Sequence, residues 1–189
     1  MAGVLVIGFG PFLDVKDNPA ARIAQAIDGA QLPSGPVWGR VMDVSYERAP
    51  QQTLAWCDAL SPSAVVGVGV ARRRTVTTVE TVGRRWTDGA TRDVDGACPP
   101  DLEPGGPESV RLGGVPAAVL AAMLGGVVGE DAGRYVCNAW IYRTSRALRG
   151  RIPLTFLHIP PSGLQREPLV RALATWDPGG HHGLSQPLR

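Results

Sequence analysis

Val4-Leu5-Val6-Ile7 is a short uninterrupted run of apolar, mostly β-branched residues near the amino terminus. Such a run is typical of a strand that is buried on both faces, as the strands of parallel sheets are. The stretch that follows, Gly8-Phe9-Gly10-Pro11-Phe12, predicts a turn instead of regular structure. Asn18-Pro19 then supplies an N-cap residue and a proline for the first helical position, so we expect a helix over residues 20–27.

The same alternation of strands and helices continues along the chain. Apolar and β-branched runs predict strands over residues 37–44, 64–68, 75–82, 127–128 and 152–159. Helices are predicted over residues 47–60, 115–124, 137–148 and 166–176. Residues 84–112 are rich in glycine, proline and acidic residues without periodicity, which indicates a long loop. This order predicts an α/β domain with a largely parallel sheet, whose sites form beyond the carboxyl ends of the strands.

Length and composition favour one globular domain. The 189 residues are 44% hydrophobic and 19% charged, and a chain of this length buries a core without disulfides or metal. We expect a single domain over residues 1–176 and a disordered tail over residues 177–189. The formal net charge of +2 is too small to indicate nucleic acid or a membrane surface as a partner. No apolar run approaches the length of a transmembrane helix.

The cysteines and histidines restrict the compartment and the cofactors. Cys57, Cys98 and Cys137 form an odd set without a C-x-x-C pair, which favours free thiols in a reducing compartment. The apolar amino terminus lacks the basic segment of a signal peptide, so we expect the cytoplasm. His181-His182 lie in the glycine-rich tail without further ligands at metal-site spacing. We therefore expect neither a metal nor a cofactor.

One stretch brings a reactive side chain to the start of a helix, Gly133-Arg134-Tyr135-Val136-Cys137-Asn138. Cys137 falls in the first turn of the predicted helix, where the positive end of the helix dipole favours the thiolate. The alternative is a core residue, because cysteine is among the most buried residue types. Cys57 falls beside core positions of its helix and Cys98 falls in the long loop, where we expect it to be exposed, so neither is favoured as a nucleophile.

A cysteine nucleophile needs a base, and His158 lies where a parallel sheet presents site residues, at the carboxyl end of the last strand. The alternative is a histidine satisfied within the core. Glu80 interrupts a β-branched segment, where a carboxylate is costly unless it is paired, and it is the candidate that would orient the imidazole. Glu80 could instead face outward on an edge strand, or pair with the arginines at 72–74 or 84–85.

Four segments together resemble the pyroglutamyl peptidase I family of cysteine peptidases. Residues 8–12 with Asn18-Pro19 resemble its opening signature, and residues 69–80, with Arg74 and Val79-Glu80, resemble the segment of its catalytic glutamate. Residues 133–138 resemble its Gly-x-Tyr-x-Cys-Asn nucleophile motif. Phe156-Leu157-His158-Ile159-Pro160 resembles its Phe-Ile-His-Val-Pro motif. The order Glu, Cys, His is also that of the family.

The resemblance implies a three-layer α/β/α sandwich with a mixed, largely parallel sheet. It also implies cofactor-free hydrolysis of an amino-terminal pyroglutamyl amide bond. Cys137 would be the nucleophile, His158 the general base and later the acid, and Glu80 the residue that orients the imidazole. The family's aromatic residues that hold the flat lactam ring match Phe9 and Phe12. The full set of expected substrate contacts is Phe9, Phe12, Val70 and Val136.

The chain departs from the family pattern on both sides of Glu80. Arg72-Arg73 stand where the family tends to carry small residues or proline. The family carries an arginine in the loop that follows the glutamate, but this chain has Ala90 at that position, and Arg92 is the nearest substitute. Arg85 stands where the family has an asparagine. Arg92 and Arg85 are therefore the candidate contacts for the oxyanion or for an anionic group of the substrate.

These departures leave alternatives open. The same triad could act on a different, anionic amide or acyl substrate as an amidohydrolase or acyl transferase, with the arginines as an anion clamp. The arginines could equally form a solvated basic face. A catalytically idle binding protein of the same fold is a third hypothesis. The expected partner is a small peptide or a small-molecule amide, and a homo-oligomer is left open.

Overall fold

Alternating strands and helices make up residues 3–175, which are the part of the chain that the computed structural model describes. The strands are β1 (Val4–Phe9), β2 (Gln31–Leu32), β3 (Gly35–Met42), β4 (Ala64–Val70), β5 (Thr78–Glu80), β6 (Val82–Arg84), β7 (Ser109–Arg111), β8 (Val127–Gly129) and β9 (Leu154–Ile159). The helices are α1 (Pro19–Ile27), α2 (Arg48–Leu60), α3 (Ala117–Met123), α4 (Val136–Leu148) and α5 (Arg166–Ala174).

Seven strands form the central sheet, in the order β2-β3-β1-β4-β9-β5-β8. Strands β3, β1, β4 and β9 are parallel neighbours, and β8 is parallel to β5. Strand β5 runs antiparallel to β9, and β2 runs antiparallel to β3. The prediction of a mixed, largely parallel sheet is therefore confirmed. Strands β6 and β7 pair separately as a two-stranded sheet.

Both faces of the sheet are covered by helices, because alternate side chains of a strand point to opposite faces. On one face Val4 and Val6 pack with buried residues of α1, α3 and α5. On the other face Leu5 and Ile7 pack with buried residues of α2 and α4, including Trp140. The result is the expected three-layer α/β/α sandwich.

The amino-terminal prediction was right for the helix, but the chain leaves the strand two residues later than predicted, after Phe9. Asn18 caps α1, since its side-chain oxygen accepts a hydrogen bond from the backbone N–H of Ala20 at 3.0 Å. Gly8 and Phe9, however, continue β1 and pair with β3. A Cβ atom on Gly8 would lie 1.9 Å from the carbonyl oxygen of Ala20. This glycine therefore permits the close approach of α1 to the strand and does not mark a turn.

Other boundaries also shift. The strand predicted over residues 75–82 divides into β5 and β6, and the predicted loop of residues 84–112 contains β7. Leu54, Trp56 and Leu60 of α2 are only partly buried against the core, whereas Cys57 on the same helix is buried. The predicted helix end at Trp176, the tail of residues 177–189 and His181-His182 lie outside the described residues, and the division into one domain and a tail stays a prediction. Within residues 3–175, no helix is both long enough and apolar enough to cross a membrane.

Candidate active site

Cys137 is the second residue of α4, the helix that packs on the α2 side of the sheet. Tyr135 precedes the helix in an extended conformation, and its side chain makes no capping hydrogen bond. The Cys137 sulfur lies directly over Gly69 of β4, because a Cβ atom built on that glycine would come within 2.8 Å of Sγ. The glycine thus leaves the space that the thiol occupies at the carboxyl edge of the sheet.

His158 and Glu80 meet on the same face of the sheet. Strand β5 pairs antiparallel with β9 so that Thr78 is opposite His158 and Glu80 is opposite Phe156. Side chains two positions apart share a face, which puts the carboxylate beside the imidazole. His158 Nδ1 and Glu80 Oε1 are 2.8 Å apart, and the two residues are only 5% and 1% exposed.

Arg74 is the second partner of Glu80. Its Nη2 lies 2.6 Å from the same carboxylate oxygen and also donates to the carbonyl of Asp131 at 2.8 Å. The guanidinium compensates the burial of the carboxylate, which would otherwise be unfavourable. Glu80 therefore pairs with an arginine as well as with His158, and it does not lie on an edge strand, since β5 runs between β9 and β8.

A glycine on the neighbouring strand makes room for the Glu80 carboxylate. A Cβ atom on Gly129 of β8 would lie 2.6 Å from Glu80 Oε2. This second carboxylate oxygen is buried and has no hydrogen-bond partner among the described residues. Both hydrogen-bonding groups that reach the carboxylate, from Arg74 and His158, therefore share Oε1.

The electrostatics of Cys137 differ from the expectation of a helix-start thiolate. Burial, and then the charge of Glu80, raise the pKa of the Cys137 thiol to about 12, and a backbone hydrogen bond only partly offsets them. A thiol with so high a pKa is protonated at neutral pH for as long as it stays buried and Glu80 stays charged. Burial also raises the pKa of Cys57 to about 11. Cys98, expected to be exposed, is half-buried.

A cavity of about 280 Å³ opens onto Cys137 and His158. Its walls are largely apolar and include Phe9, Phe12 and Tyr135. The rings of Phe12 and Tyr135 are 6.2 Å apart between centroids. An apolar slot with few polar groups suits a small, flat and neutral ligand group.

The expected substrate contacts divide between this cavity and the core. Phe9, Phe12 and Val70 line the cavity. Val136 is fully buried in the core packed around α4. Because it immediately precedes Cys137 on the helix, its side chain points away from the position that the thiol takes.

The structure does not bring Arg85 and Arg92 to the cavity. The Arg85 guanidinium lies 4.0 Å from the ring centroid of Trp86 and 3.4 Å from the Asp101 carboxylate. Arg92 donates to the carbonyl of Gly96 at 2.6 Å, and its own carbonyl accepts a hydrogen bond from the Tyr135 hydroxyl at 3.0 Å. Both guanidinium groups are therefore held by their own loop.

Other arginines line the cavity in their place. Arg72, two residues beyond β4, and Arg134, just before Tyr135, are both exposed at its mouth. The sequence allowed Arg72 either as a member of an anion clamp or as part of a solvated basic face, and it indicated no role for Arg134. Their positions next to the ends of site-bearing elements were the available signal, because parallel strands and the helices that follow them converge at this edge.

Asn138 is a further residue of the site that the sequence did not single out. Its side-chain oxygen accepts from the backbone N–H of Arg84 at 2.7 Å, and its amide nitrogen donates to the carbonyls of Arg84 and Trp86 at 2.9 and 3.0 Å. These bonds tie the segment after Glu80 to the helix that carries Cys137. The Cys-Asn pair in the motif was the only signal for this contact.

Comparison with known proteins agrees with this geometry. A family model described as pyroglutamyl peptidase matches residues 2–164. The pyrrolidone-carboxylate peptidase of Deinococcus radiodurans is 33% identical over 173 aligned residues, covering 85% of this chain and 78% of the relative. That of Thermococcus litoralis is 28% identical over 178 residues, with 85% and 77% covered. The solved structure of pyrrolidone carboxyl peptidase from Thermococcus litoralis matches with a TM-score of 0.80 at 25% identity, covering 92% of this chain and 90% of that one. The chain belongs to the pyroglutamyl peptidase family of cysteine peptidases.

Proposed function

We propose that this chain removes an amino-terminal pyroglutamyl group from peptides, using Cys137, His158 and Glu80 as a catalytic triad. The observation that carries the proposal is the buried contact of 2.8 Å between His158 Nδ1 and Glu80 Oε1, beside the cavity that also contains Cys137. Membership of the family supports the reaction, and this contact supports His158 as a base whose orientation Glu80 fixes.

The first chemical step is thiol attack with proton transfer. Glu80 accepts a hydrogen bond from Nδ1–H of His158, which leaves Nε2 free to take the thiol proton. The raised pKa of the thiol supports a step in which the proton passes to His158 as sulfur bonds to the carbonyl carbon. The imidazolium that forms is compensated by the carboxylate of Glu80. The same negative charge that disfavours a lone thiolate thus favours the proton-transferred pair.

The oxyanion of the tetrahedral intermediate needs hydrogen-bond donors. The first turn of α4 has no side-chain cap, so the backbone N–H groups at its start are available. Donors of this kind at a helix start stabilise a developing negative charge. We assign the oxyanion to this turn and not to Arg85 or Arg92, whose guanidinium groups are bound elsewhere.

Collapse of the intermediate breaks the C–N bond, and His158 gives its proton to the leaving amine. The pyroglutamyl group is then held as a thioester on Cys137. Water attacks this acyl-enzyme with His158 as the base, which releases pyroglutamate and restores the thiol. Every step needs only side chains and backbone groups of the chain together with water.

The walls of the cavity support a lactam as the acyl group. Phe9, Phe12 and Val70 present apolar surface, and neither Arg85 nor Arg92 lines the cavity, whereas Arg72 and Arg134 are exposed at its mouth. A neutral five-membered ring fits such a slot better than an anionic acyl group would. This observation favours the pyroglutamyl substrate over the alternative of an anionic acyl substrate.

Arg74 acts in this proposal as a positioning residue. It reaches no part of the cavity lining, but it holds Glu80 Oε1 and the carbonyl of Asp131 together. The segment that follows Asp131 leads into Tyr135 and Cys137. Arg74 therefore fixes the carboxylate relative to both the base and the nucleophile.

We further propose a reducing compartment, the cytoplasm, for this chain. Cys57, Cys98 and Cys137 are all free, which supports that compartment. A homo-oligomer stays a prediction.

The test is hydrolysis of a pyroglutamyl coumarin amide. Cys137→Ala should abolish turnover, whereas Cys98→Ala, the matched control in the long loop, should keep it. Iodoacetamide should abolish the activity of the Cys98→Ala variant. In Cys137→Ala, which is already inactive, it should modify only the remaining thiols. Mass spectrometry of acid-quenched enzyme during turnover should detect one pyroglutamyl group on Cys137. Turnover that persists in Cys137→Ala would disprove the proposed nucleophile.

A further inference from the structure

A second cavity adjoins the candidate active site over the carboxyl edge of the sheet. Its volume is about 270 Å³, and it shares Val70 and Arg72 with the cavity of Cys137 and His158. It continues to the α1 side, where Val15, Asp17, Pro19, Arg22 and Pro161 complete its lining. The two cavities are therefore neighbours that meet at Val70 and Arg72, at the end of β4.

The two cavities differ in chemistry. The cavity at Cys137 has aromatic walls, which suit the pyroglutamyl ring. The second cavity has Asp17, Arg22 and Arg72 beside apolar residues in its lining, and in it Arg22 pairs with Asp17 while Arg72 pairs with Asp14 outside it. If the ring occupies the aromatic cavity, the second cavity is the adjoining space for the peptide on the leaving side of the scissile bond. The first side chain of the leaving peptide then lies near the Arg72 guanidinium.

Arg72 is able to exchange its partner. The side chains of Arg72 and Asp14 are 51% and 76% exposed, and exposed ion pairs of this kind contribute little to stability. The pairing does hold the pKa of Asp14 below its usual value, so Asp14 is ionised and competes for the guanidinium. A carboxylate delivered by bound substrate has the advantage of proximity over Asp14.

The remaining charges at the mouth add to this preference. Arg134 lines the cavity at its mouth and has no ion-pair partner among residues 3–175. Of the nearby acids, Asp17 pairs with Arg22, and Asp131 accepts from the backbone N–H of Gly133 at 3.0 Å. Arg134 therefore adds a guanidinium without an ion-pair partner at the mouth that Arg72 also lines.

We propose that Arg72 binds a carboxylate on the leaving side of the scissile bond, so that the enzyme prefers peptides in which Glu or Asp follows the pyroglutamyl residue. This specificity rests on the proposed function, because it places the pyroglutamyl ring at Cys137. The guanidinium fork and the carboxylate form a charge-assisted hydrogen bond, and Asp14 is released to solvent.

The experiment compares pyroglutamyl-glutamyl amide with pyroglutamyl-glutaminyl amide, which have the same shape and differ in one charge. We expect kcat/KM of the full-length enzyme to favour the glutamyl peptide by about five- to tenfold at low salt. Arg72→Gln should reduce this ratio to about one, and Arg134→Gln should reduce it by less. Arg73→Gln is the matched control, since Arg73 is exposed and lines neither cavity, and it should leave the ratio unchanged.

Asp14→Asn gives the discriminating result. Removal of the competing carboxylate should raise the ratio above that of the wild type, opposite in sign to Arg72→Gln. If both variants lower the ratio, the ion pair only braces the loop and the proposal fails. A wild-type ratio of one with brisk cleavage of the glutaminyl peptide also overturns it, while the proposed function stands. If the enzyme cleaves neither peptide, both the proposed function and this specificity are disproved.

Discussion

Arg72 and Arg74 are two residues apart, yet they make opposite kinds of ion pair. Arg74 contacts a carboxylate with no exposed side-chain surface, whereas Arg72 contacts one that is 76% exposed. Charges that are removed from water interact strongly and are costly to separate, whereas exposed pairs are screened and replaceable. The buried pair is therefore suited to fixing the base, and the exposed pair is suited to exchanging partners with a substrate.

Glu80→Gln is the substitution with the largest expected effect at the buried ion pair of Arg74 and Glu80. It should lower kcat by about a thousandfold, because the amide no longer holds the required tautomer or compensates the imidazolium. The thiol should respond in the opposite direction. The Glu80 charge helps to raise the pKa of Cys137, so its removal lowers that pKa, which burial still keeps above the ordinary value.

Two measurements check this pair of effects. Iodoacetamide modification of Cys137 should accelerate in Glu80→Gln at mildly alkaline pH, even as turnover falls, and the midpoint of its pH profile should move to lower pH. Alkylation that slows together with turnover would contradict the proposed electrostatics.

Arg74→Gln should remove support from the buried carboxylate. We expect kcat to fall by about ten- to a hundredfold with little change in KM, because Arg74 contacts Glu80 and not the substrate. Unfolding free energy should fall by about 2–3 kcal/mol, at the low end for a buried pair because the Arg74 side chain is 30% exposed. Arg74→Lys should rescue part of both losses, as measured by denaturation and steady-state kinetics. An effect confined to KM would show that Arg74 contacts the substrate instead.

Gly69→Ala should disturb the thiol directly. The new Cβ atom would lie 2.8 Å from Cys137 Sγ and 2.9 Å from the Phe156 ring, so both must move. We expect kcat/KM to fall by at least about tenfold and stability by about 1–3 kcal/mol, as for overpacked cores. Gly113→Ala is the matched control, because no atom lies within 4 Å of its new Cβ. Equal activity of the two variants would argue against the tight placement of the thiol.

Arg72→Gln is expected to have the smallest effect on stability. The melting temperature should not change measurably, in contrast to Arg74→Gln, because Arg72 and Asp14 are both exposed. Parallel thermal denaturation of the two variants makes the check. A large loss in Arg72→Gln would remove the distinction between the two ion pairs.

The layers and the sheet could be predicted from the sequence, because they follow from periodicity. The residues proposed for the triad stay a prediction from motifs at element ends, and the contact of His158 with Glu80 supports it. The role of Gly8 could not be predicted, since a glycine that admits a helix and a glycine that makes a turn look alike in one chain. The helix dipole at Cys137 favours the thiolate, but burial and the Glu80 charge act in the opposite direction and raise the pKa of the thiol. The helix dipole is a local property that a sequence shows, whereas desolvation and the Glu80 charge arise from distant segments.

The arginines show the same limit. Arg85 and Arg92 were expected at the site from their place in the loop, but their guanidinium groups find Trp86, Asp101 and Gly96 nearby. A long flexible side chain can reach hydrogen-bond and ion-pair partners in several directions, so the position of an arginine in the sequence does not fix where its guanidinium lies. Arg72 and Arg134 reach the cavity because their backbone positions adjoin its mouth.

The raised pKa of Cys137 also bears on the survival of the enzyme between turnovers. Peroxide oxidises thiolates much faster than thiols, so a nucleophile that rests in the protonated form is a poor target for it. We expect the sulfur to be vulnerable mainly while a proton is being passed to His158, when a substrate carbonyl occupies the attacking path. The raised pKa of the Cys137 thiol therefore predicts slow oxidation of the idle enzyme to sulfenic acid.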